Sequence, residues 1–204
     1  MLEASDLELE RGGRPLFRRL SLALAGGELL RVAGTNGSGK TTLLKILCGL
    51  LAPEAGEVRW QGQPIRLLRE EFSRQLVYLG HAPAVKDELT AAENLSIACT
   101  LAGVAATPQA VREALEAYGL PRGDVPVRRL SQGQRRRAAL ARLLLSGAAP
   151  LWLLDEPFTA LDTNAARFTG ELIAQHVARG GAAIYTTHQD AAISAAVARV
   201  LELA

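Results

Sequence analysis

The sequence predicts an α/β fold, with buried parallel strands, an inserted helical region and a first third made of strands and turns. Three observations predict it. The short β-type run Leu29–Gly34 ends at a glycine and leads into a helix pattern. The continuous apolar run Leu151–Leu154 is typical of a fully buried parallel strand. Between about Thr90 and Ser146 the chain is rich in alanine and leucine at helical spacing.

Length and composition describe one folded domain of 204 residues. With 49% hydrophobic and 22% charged residues, the chain is neither disordered nor fibrous, and its formal charge of +2 does not by itself indicate a polyanionic partner. It has no run of 18 uninterrupted apolar residues and no secretory signal pattern, so we expect a cytosolic protein. Cys48 and Cys99 are expected to be reduced and packed as small hydrophobes.

The remaining elements follow in order along the chain. Alternation of apolar and polar residues predicts strands at Leu7–Glu10 and Leu20–Leu24, and further strands are expected at Val58–Gln61, at Gln75–Gly80 and, as the last one, at Ala182–Thr187. Leucine and isoleucine spacing predicts helices at about 43–50 and 165–179. We therefore expect one domain, 1–204, with a core of about 1–81 and 147–204 and a helical subdomain of about 82–146.

Caps support the helical subdomain. Thr90 is followed three residues later by Glu93, which is a capping box, and Thr107 precedes Pro108, which is a cap followed by a proline at the first helical position.

The segment from Gly34 to Thr41 fits the phosphate-loop pattern and lies between a predicted strand and a predicted helix. Glycines let backbone N–H groups turn toward phosphate oxygens, and the helix N-terminus adds partial positive charge. Lys40 would contact the β- and γ-phosphates, and the Thr41 hydroxyl would ligate Mg²⁺. The alternative is a glycine-rich turn with a surface lysine. The predicted phosphate ligands are Gly34, Thr35, Asn36, Gly37, Ser38, Gly39, Lys40, Thr41 and Thr42.

Two adjacent carboxylates follow the buried strand at Leu151–Leu154. The carboxyl ends of strands are where ligands bind in open α/β sheets. We expect Asp155 to hold Mg²⁺ through water and Glu156 to orient the water that attacks the γ-phosphate. The alternative is a surface acidic turn before Pro157.

Between these motifs lies Leu130-Ser131-Gln132-Gly133-Gln134, followed by a basic, alanine-rich segment. This closely resembles the LSGGQ signature of the ATP-binding cassette (ABC) ATPases, with Gln132 for the middle glycine as one departure. The resemblance covers essentially the whole chain and implies an ABC-type P-loop NTPase that uses ATP and Mg²⁺. The fold that it implies is α/β, with a RecA-like core of mixed or parallel sheet, an inserted helical subdomain and a small antiparallel β region at the N-terminus.

The resemblance also implies further site residues. The segment Ala160–Asp162 looks like the D-loop, and His188 looks like the switch histidine that contacts the γ-phosphate. In the family two copies associate head to tail, so that the signature of one copy completes the ATP site built on Lys40 of the other. The signature residues assigned to that contact are Ser131, Gly133 and Gln134. Taken alone, they are also an N-cap and turn before a helix.

Two positions depart from the family pattern. The family usually has glutamine where this chain has His81, in the loop that touches Mg²⁺ and the membrane partner. Because neutral imidazole is a poor Mg²⁺ ligand, His81 either hydrogen-bonds the water or is only a loop residue. The expected adenine-stacking aromatic is replaced by Arg11, whose guanidinium can still stack on a base. The arginines at 135–137 are interpreted as a solvated helix face with phosphate or partner contacts, rather than as a nucleic-acid contact.

Several strings resemble one branch of the family, the CcmA haem-exporter ATPases of cytochrome c biogenesis: Gly80-His81-Ala-Pro, Leu89-Thr-Ala-Ala-Glu-Asn-Leu, Asp155-Glu-Pro-Phe-Thr-Ala-Leu-Asp162 and Thr186-Thr-His-Gln189. The resemblance implies a peripheral protein on the cytoplasmic face of the bacterial inner membrane. It also implies the membrane subunits CcmB, CcmC and CcmD, with hydrolysis supporting haem delivery to the chaperone CcmE. The alternatives are the ATPase of another exporter and a soluble ABC protein that acts on nucleic acid.

Overall fold

The computed structural model describes residues 1–187, 193 and 198–203. In this part of the chain the strands form two sheets, one of four strands in the order β2-β1-β4-β5 and one of five strands in the order β6-β7-β8-β3-β9. The first sheet is antiparallel and the second parallel.

The antiparallel sheet is built mainly from the N-terminal hairpin. Its strands are β1 (Leu2–Arg11), β2 (Arg14–Leu24), β4 (Ala55–Trp60) and the two-residue β5 (Gln63–Pro64). Leu2 pairs with Leu24 on one side and with Trp60 on the other. All three side chains are buried, so one face of this sheet packs on the core.

The parallel sheet consists of β3 (Leu29–Gly34), β6 (Leu76–Leu79), β7 (Leu151–Leu154), β8 (Ala182–Thr186) and β9 (Ala198–Leu203). Strand β9 corrects the expectation that the strand at 182 is the last one. It pairs along its whole length with β3 at the edge of the sheet. Most of its residues are exposed, so it lacks the apolar run that marks β7 and β8.

The helices of the core are α1 (Lys40–Leu47), α2 (Ile65–Leu68), α3 (Glu70–Arg74) and α8 (Thr163–Ala178). Between β6 and β7 lie α4 (Ala91–Leu101), α5 (Pro108–Ala117), a 3₁₀ turn (Val127–Arg129), α6 (Gln132–Leu140) and α7 (Arg142–Leu145). Both predicted caps are present: Thr90 and Glu93 form a capping box, and the Thr107 side chain accepts from the backbone of Ala110.

Two apolar clusters hold these layers together. One packs the helices between β6 and β7, together with α8, against one face of the parallel sheet around Trp152 and Leu154. The other packs α1 between the opposite face and the antiparallel sheet, around Leu43 and Leu153. Buried residues alternate between the two clusters along β7, and the strand is covered on both faces. The carboxyl end of β7 is therefore held rigidly next to α1.

Cys99 is buried, Cys48 is half-buried, and both are free thiols, as expected. Within residues 1–187 and 198–203, no helix has the length and apolar character that crossing a bilayer requires.

Candidate active site

The phosphate loop joins β3 to α1 as the sequence predicts. Gly39 stands immediately before the helix with φ of 98°, a left-handed conformation that glycine adopts without strain. A side chain there would also collide with the ring of Phe17, since a Cβ would lie 2.9 Å from two ring atoms. Glycine at 39 is thus required both by the turn and by the packing of β2 against the loop.

Lys40 begins α1 and folds back over the loop. Its Nζ donates to the carbonyl oxygens of Gly34 at 2.7 Å and Thr35 at 2.9 Å, and the residue is buried. The first turn of α1 has no acidic residue, so its N–H groups and the lysine charge act together on an anion. This concentration of positive charge is suited to phosphate oxygens.

A cleft of about 420 Å³ opens above this loop. Its lining comes from three separate parts of the chain: the N-terminal hairpin, the phosphate loop with α1, and the carboxyl ends of β6 and β7. The lining residues are Arg11, Leu16, Asn36, Gly37, Gly39, Lys40, Thr41, Thr42, His81 and Glu156. Nine of these ten were predicted as site residues, and Leu16 is the one that was not. Gly34, Thr35 and Ser38 belong to the loop without lining the cleft.

Asp155 lies directly after β7 and is fully buried. Its Oδ1 accepts from the Thr186 hydroxyl at 2.8 Å, and its Oδ2 has no hydrogen-bond partner among the described residues. A buried carboxylate oxygen without a partner is costly unless a cation or a water completes it. Burial also raises the pKa of the neighbouring Tyr78 to about 12, and the carboxylate of Asp155 adds to that rise. Asp155 does not line the cleft itself, and its Oδ2 is the atom that could accept a contact from a cation or a water.

Glu156 adopts a left-handed conformation, with φ of 53°. For a non-glycine residue this conformation costs roughly 1–3 kcal/mol unless its surroundings impose it. Here the backbone N–H of Glu156 donates to Thr186 Oγ1 at 2.9 Å, and the same hydroxyl donates to Asp155. Thr186 at the end of β8 thus connects both acidic residues, a role that the sequence analysis did not assign to it.

Arg136 corrects the interpretation of the arginines at 135–137 as a solvated face. The residue is only 4% exposed, and its guanidinium donates to four backbone carbonyls. Two of these belong to Gly80 and His81, and two to Asp155 and Glu156. Burial lowers the pKa of Arg136, while the carboxylates of Asp155 and Glu156 act in the opposite direction.

The sequence interpretation failed here because a triplet of arginines carries no sign of which one faces inward. Helix α6 turns through about 100° per residue, so its successive arginines point in different directions.

The signature residues lie apart from the cleft. Ser131 caps α6: its Oγ accepts from the Gln134 N–H, and the Gln134 side chain accepts from the Ser131 N–H. Gly133 packs on the Ala160–Asp162 segment, where a Cβ would lie 2.6 Å from the Ala160 carbonyl oxygen. None of these three predicted nucleotide contacts lines the cleft of its own chain.

Arg11 and His81 are both exposed and both face the cleft. Leu16 is half-buried and lies beside the phosphate loop, where its Cβ would be 3.6 Å from a Cβ placed on Gly39, so it adds an apolar wall to the cleft. His188, the predicted switch histidine, lies outside the described residues.

Residues 17–159 match the family model described as ABC transporter. The "Cytochrome c biogenesis ATP-binding export protein CcmA" of Aromatoleum aromaticum is 56% identical over 192 residues, which cover 94% of this chain and 90% of the relative. The protein of the same name from Dechloromonas aromatica is 50% identical over 204 residues, the full length of both. The chain belongs to the CcmA branch of the ABC transporter family. The resemblance inferred from the motifs is thereby confirmed.

Solved structures agree with this assignment. A putative ABC transporter ATP-binding protein from Pyrococcus furiosus superposes with a TM-score of 0.83 at 27% identity, over 98% of this chain and 96% of the other. An ATP-binding cassette at 23% identity, with a TM-score of 0.86, shows the shared fold. The expected ABC-type P-loop fold is confirmed, and as an ABC ATPase of the CcmA branch the chain is an ATP hydrolase of an ABC exporter.

Proposed function

We propose that the chain powers an export step of cytochrome c maturation, by hydrolysing ATP on the cytoplasmic face of the inner membrane in support of haem delivery. The likeness to proteins named for cytochrome c biogenesis export, over nearly the whole chain, carries this proposal. The membrane-spanning partner would be CcmB, with CcmC, CcmD and the chaperone CcmE as further components. The cleft supplies the chemistry that drives such a step.

In this proposal the phosphates of ATP lie in the phosphate loop. Lys40 and the N–H groups at the start of α1 neutralise the charge on the β- and γ-phosphates. Thr41 and Asp155 would hold Mg²⁺, the Asp155 Oδ2 without a partner being the observation that supports it. When bound, the ion withdraws charge from the phosphate oxygens during phosphoryl transfer. Arg11 and Leu16 would cover the base.

Glu156 is the proposed general base. Glu156 lines the cleft together with Lys40 and Thr41, where its carboxylate would orient a water in line with the leaving group. We assign His188 to the γ-phosphate and His81 to the rim, either as a hydrogen-bond partner of water or as a loop residue.

Two copies of the chain are proposed to assemble head to tail. Ser131 is exposed at the N-terminus of α6 and does not reach the cleft of its own chain. A helix N-terminus with a serine cap is a good phosphate ligand, so Ser131, Gly133 and Gln134 can act on the nucleotide of a second copy. A cassette of the same fold has been described as a dimer with ADP and Pi.

The biological role is tested by deleting the gene and measuring c-type cytochromes by haem staining. We expect them to be lost, to return with the intact gene, and to remain absent with Glu156→Gln. Full c-type cytochromes in the deletion strain would instead favour the ATPase of another exporter.

A further inference from the structure

We propose that Arg136 is a positioning residue for ATP hydrolysis, which holds the backbone of Glu156 in the conformation that directs its carboxylate into the cleft. The proposal rests on the assignment of Glu156 as general base. Among the described residues that line the cleft Arg136 is absent, and its four hydrogen bonds go to backbone carbonyls of the two neighbouring loops, so its effect would pass through those loops.

The contacts are divided evenly between two loops. Nη1 donates to the Gly80 carbonyl at 2.8 Å and to the His81 carbonyl at 3.2 Å. Nη2 donates to the carbonyls of Asp155 and Glu156, both at 2.7 Å. One guanidinium therefore joins the carboxyl end of β6 to the carboxyl end of β7, the two places where His81 and Glu156 enter the cleft.

Arginine is suited to this task by its shape. Its planar fork has two terminal nitrogens whose donors point in fixed directions, so each nitrogen can serve one loop. A lysine ammonium is a single point and cannot lie within hydrogen-bond distance of both pairs of carbonyls in the same way. The Arg136 side chain is also well buried, which makes these carbonyl bonds strong and leaves little freedom of movement.

Glu156 is the residue that needs such support. Its left-handed φ of 53° is unfavourable for a side chain with a Cβ, and it is stabilised from both ends of its peptide units. The N–H donates to Thr186, and the carbonyl accepts from Arg136 at 2.7 Å and from the Thr159 N–H at 3.2 Å. Without Arg136 the carbonyl would keep only the longer backbone contact, so the peptide would relax more easily toward an ordinary conformation and the carboxylate would turn away from the cleft.

Arg136 also lies on α6, the helix that Ser131 caps. The position of the signature and the position of Glu156 are therefore mechanically connected through one helix. When the signature contacts a second copy, a shift of α6 would therefore change the position of the Glu156 carboxylate.

The test compares Arg136→Met with Arg135→Met in the purified full-length chain. Arg135 is the matched control, because it lies on the same helix and binds Asp87 and the carbonyls of Arg128 and Leu130, whereas none of its hydrogen bonds goes to Gly80, His81, Asp155 or Glu156. We expect Arg136→Met to lower kcat about tenfold or more while KM for ATP and the Kd for a fluorescent ATP analogue change less than about threefold. Arg135→Met should leave kcat within about twofold.

Two further variants separate positioning from general loss of structure. Arg136→Lys keeps the charge but not the fork, and we expect a kcat between those of the parent and Arg136→Met; a kcat equal to the parent would overturn the proposal. In the Glu156→Gln background, Arg136→Met should lower the residual rate no further, because the group that it positions is already gone. A full additional loss there would overturn the proposal, as would equal losses in Arg136→Met and Arg135→Met.

Glu156→Gln by itself tests the underlying assignment. If that variant retained the parental kcat, Glu156 would not be the base and the proposed function of this residue would fail. If instead Glu156→Gln lost turnover while Arg136→Met behaved like Arg135→Met, only the positioning role would fail.

Discussion

The phosphate cleft and the signature helix differ in how complete they are within one chain. Around the cleft, residues from the hairpin, the phosphate loop and two strand ends converge on one volume of about 420 Å³. The signature on α6 has its polar groups turned into a helix cap and its Ser131 exposed. The two regions are joined inside the chain by the buried Arg136.

In the proposed head-to-tail assembly, this difference indicates that ATP binding needs the cleft of one chain, whereas ATP turnover also needs the signature of a second copy. The cleft is lined by Arg11 and Lys40, which carry positive charge, and by one acidic residue, Glu156. The signature has groups that can contact phosphate, but Ser131, Gly133 and Gln134 do not line this cleft in the part of the chain that the structure describes. We therefore expect loss of the lysine charge in the phosphate loop to weaken ATP binding, and changes in the signature to affect turnover through the site shared with a second copy.

The largest effect should come from Lys40→Ala. Lys40 is the charged residue of the phosphate loop and lines the cleft. Loss of its ammonium should therefore lower turnover by about 100-fold or more and weaken ATP binding. Lys45→Ala is the control, because Lys45 lies on the same helix and is exposed. Equal ATP affinity in both variants would show that the cleft is not the nucleotide site.

Mixing two inactive variants would test whether the phosphate loop of one copy and the signature of the other copy form one shared site. Lys40→Ala and Ser131→Arg each damage one half of the proposed shared site. In a mixed dimer, one of the two sites would contain both intact halves, so an equal mixture should recover up to about a quarter of parental turnover. Steady-state ATPase measurements on the mixture and on each variant alone are sufficient. No recovery at any mixing ratio would contradict the head-to-tail arrangement.

A smaller effect is expected from His81→Gln at the rim of the cleft. His81 is exposed, so replacing its imidazole by an amide should change the Kd for ATP by less than about tenfold, the value of one neutral hydrogen bond. Equilibrium titration with a fluorescent ATP analogue measures this directly. Complete loss of binding would mean that His81 belongs to the binding machinery rather than to its edge.

The smallest expected effect is on stability alone and involves His176, which lies on α8 and packs against the parallel sheet. His176 is stacked on Trp152 with ring centroids 3.9 Å apart, and burial lowers the pKa of its imidazole, the charge of Arg179 adding to the lowering. Below about pH 6.5 the unfolded chain takes up a proton that the folded chain resists. The free energy of unfolding should therefore decrease as the pH falls from that value toward the lower pKa of the folded state.

Urea unfolding at about pH 7.5 and pH 5.5 tests this, since the two conditions lie on either side of the ordinary histidine pKa. In His176→Gln the residue stays neutral at both values, so the difference in unfolding free energy between them should shrink. An unchanged difference would show that another group is responsible.

Much of the fold could be read from local patterns. The apolar run of β7 and the glycines of the phosphate loop are local signals, and they correctly placed a strand end beside a helix start. Strand β9 was not predicted because an exposed edge strand has no apolar run. It forms by pairing with β3, which is far away in the chain. The roles assigned to the individual residues of the cleft remain predictions.

The sequence by itself determined the phosphate loop, the acidic pair and the signature, and through them the family. Each of these motifs is a short run of residues whose types and spacing are set by the chemistry that they perform. Only the tertiary structure decided which polar groups would meet across the fold. Thr186 connects Asp155 to Glu156 from another strand, and Arg136, one of three consecutive arginines, turns inward to bind two loops at once. Such contacts depend on how helices and strands pack, and no local pattern contains that information.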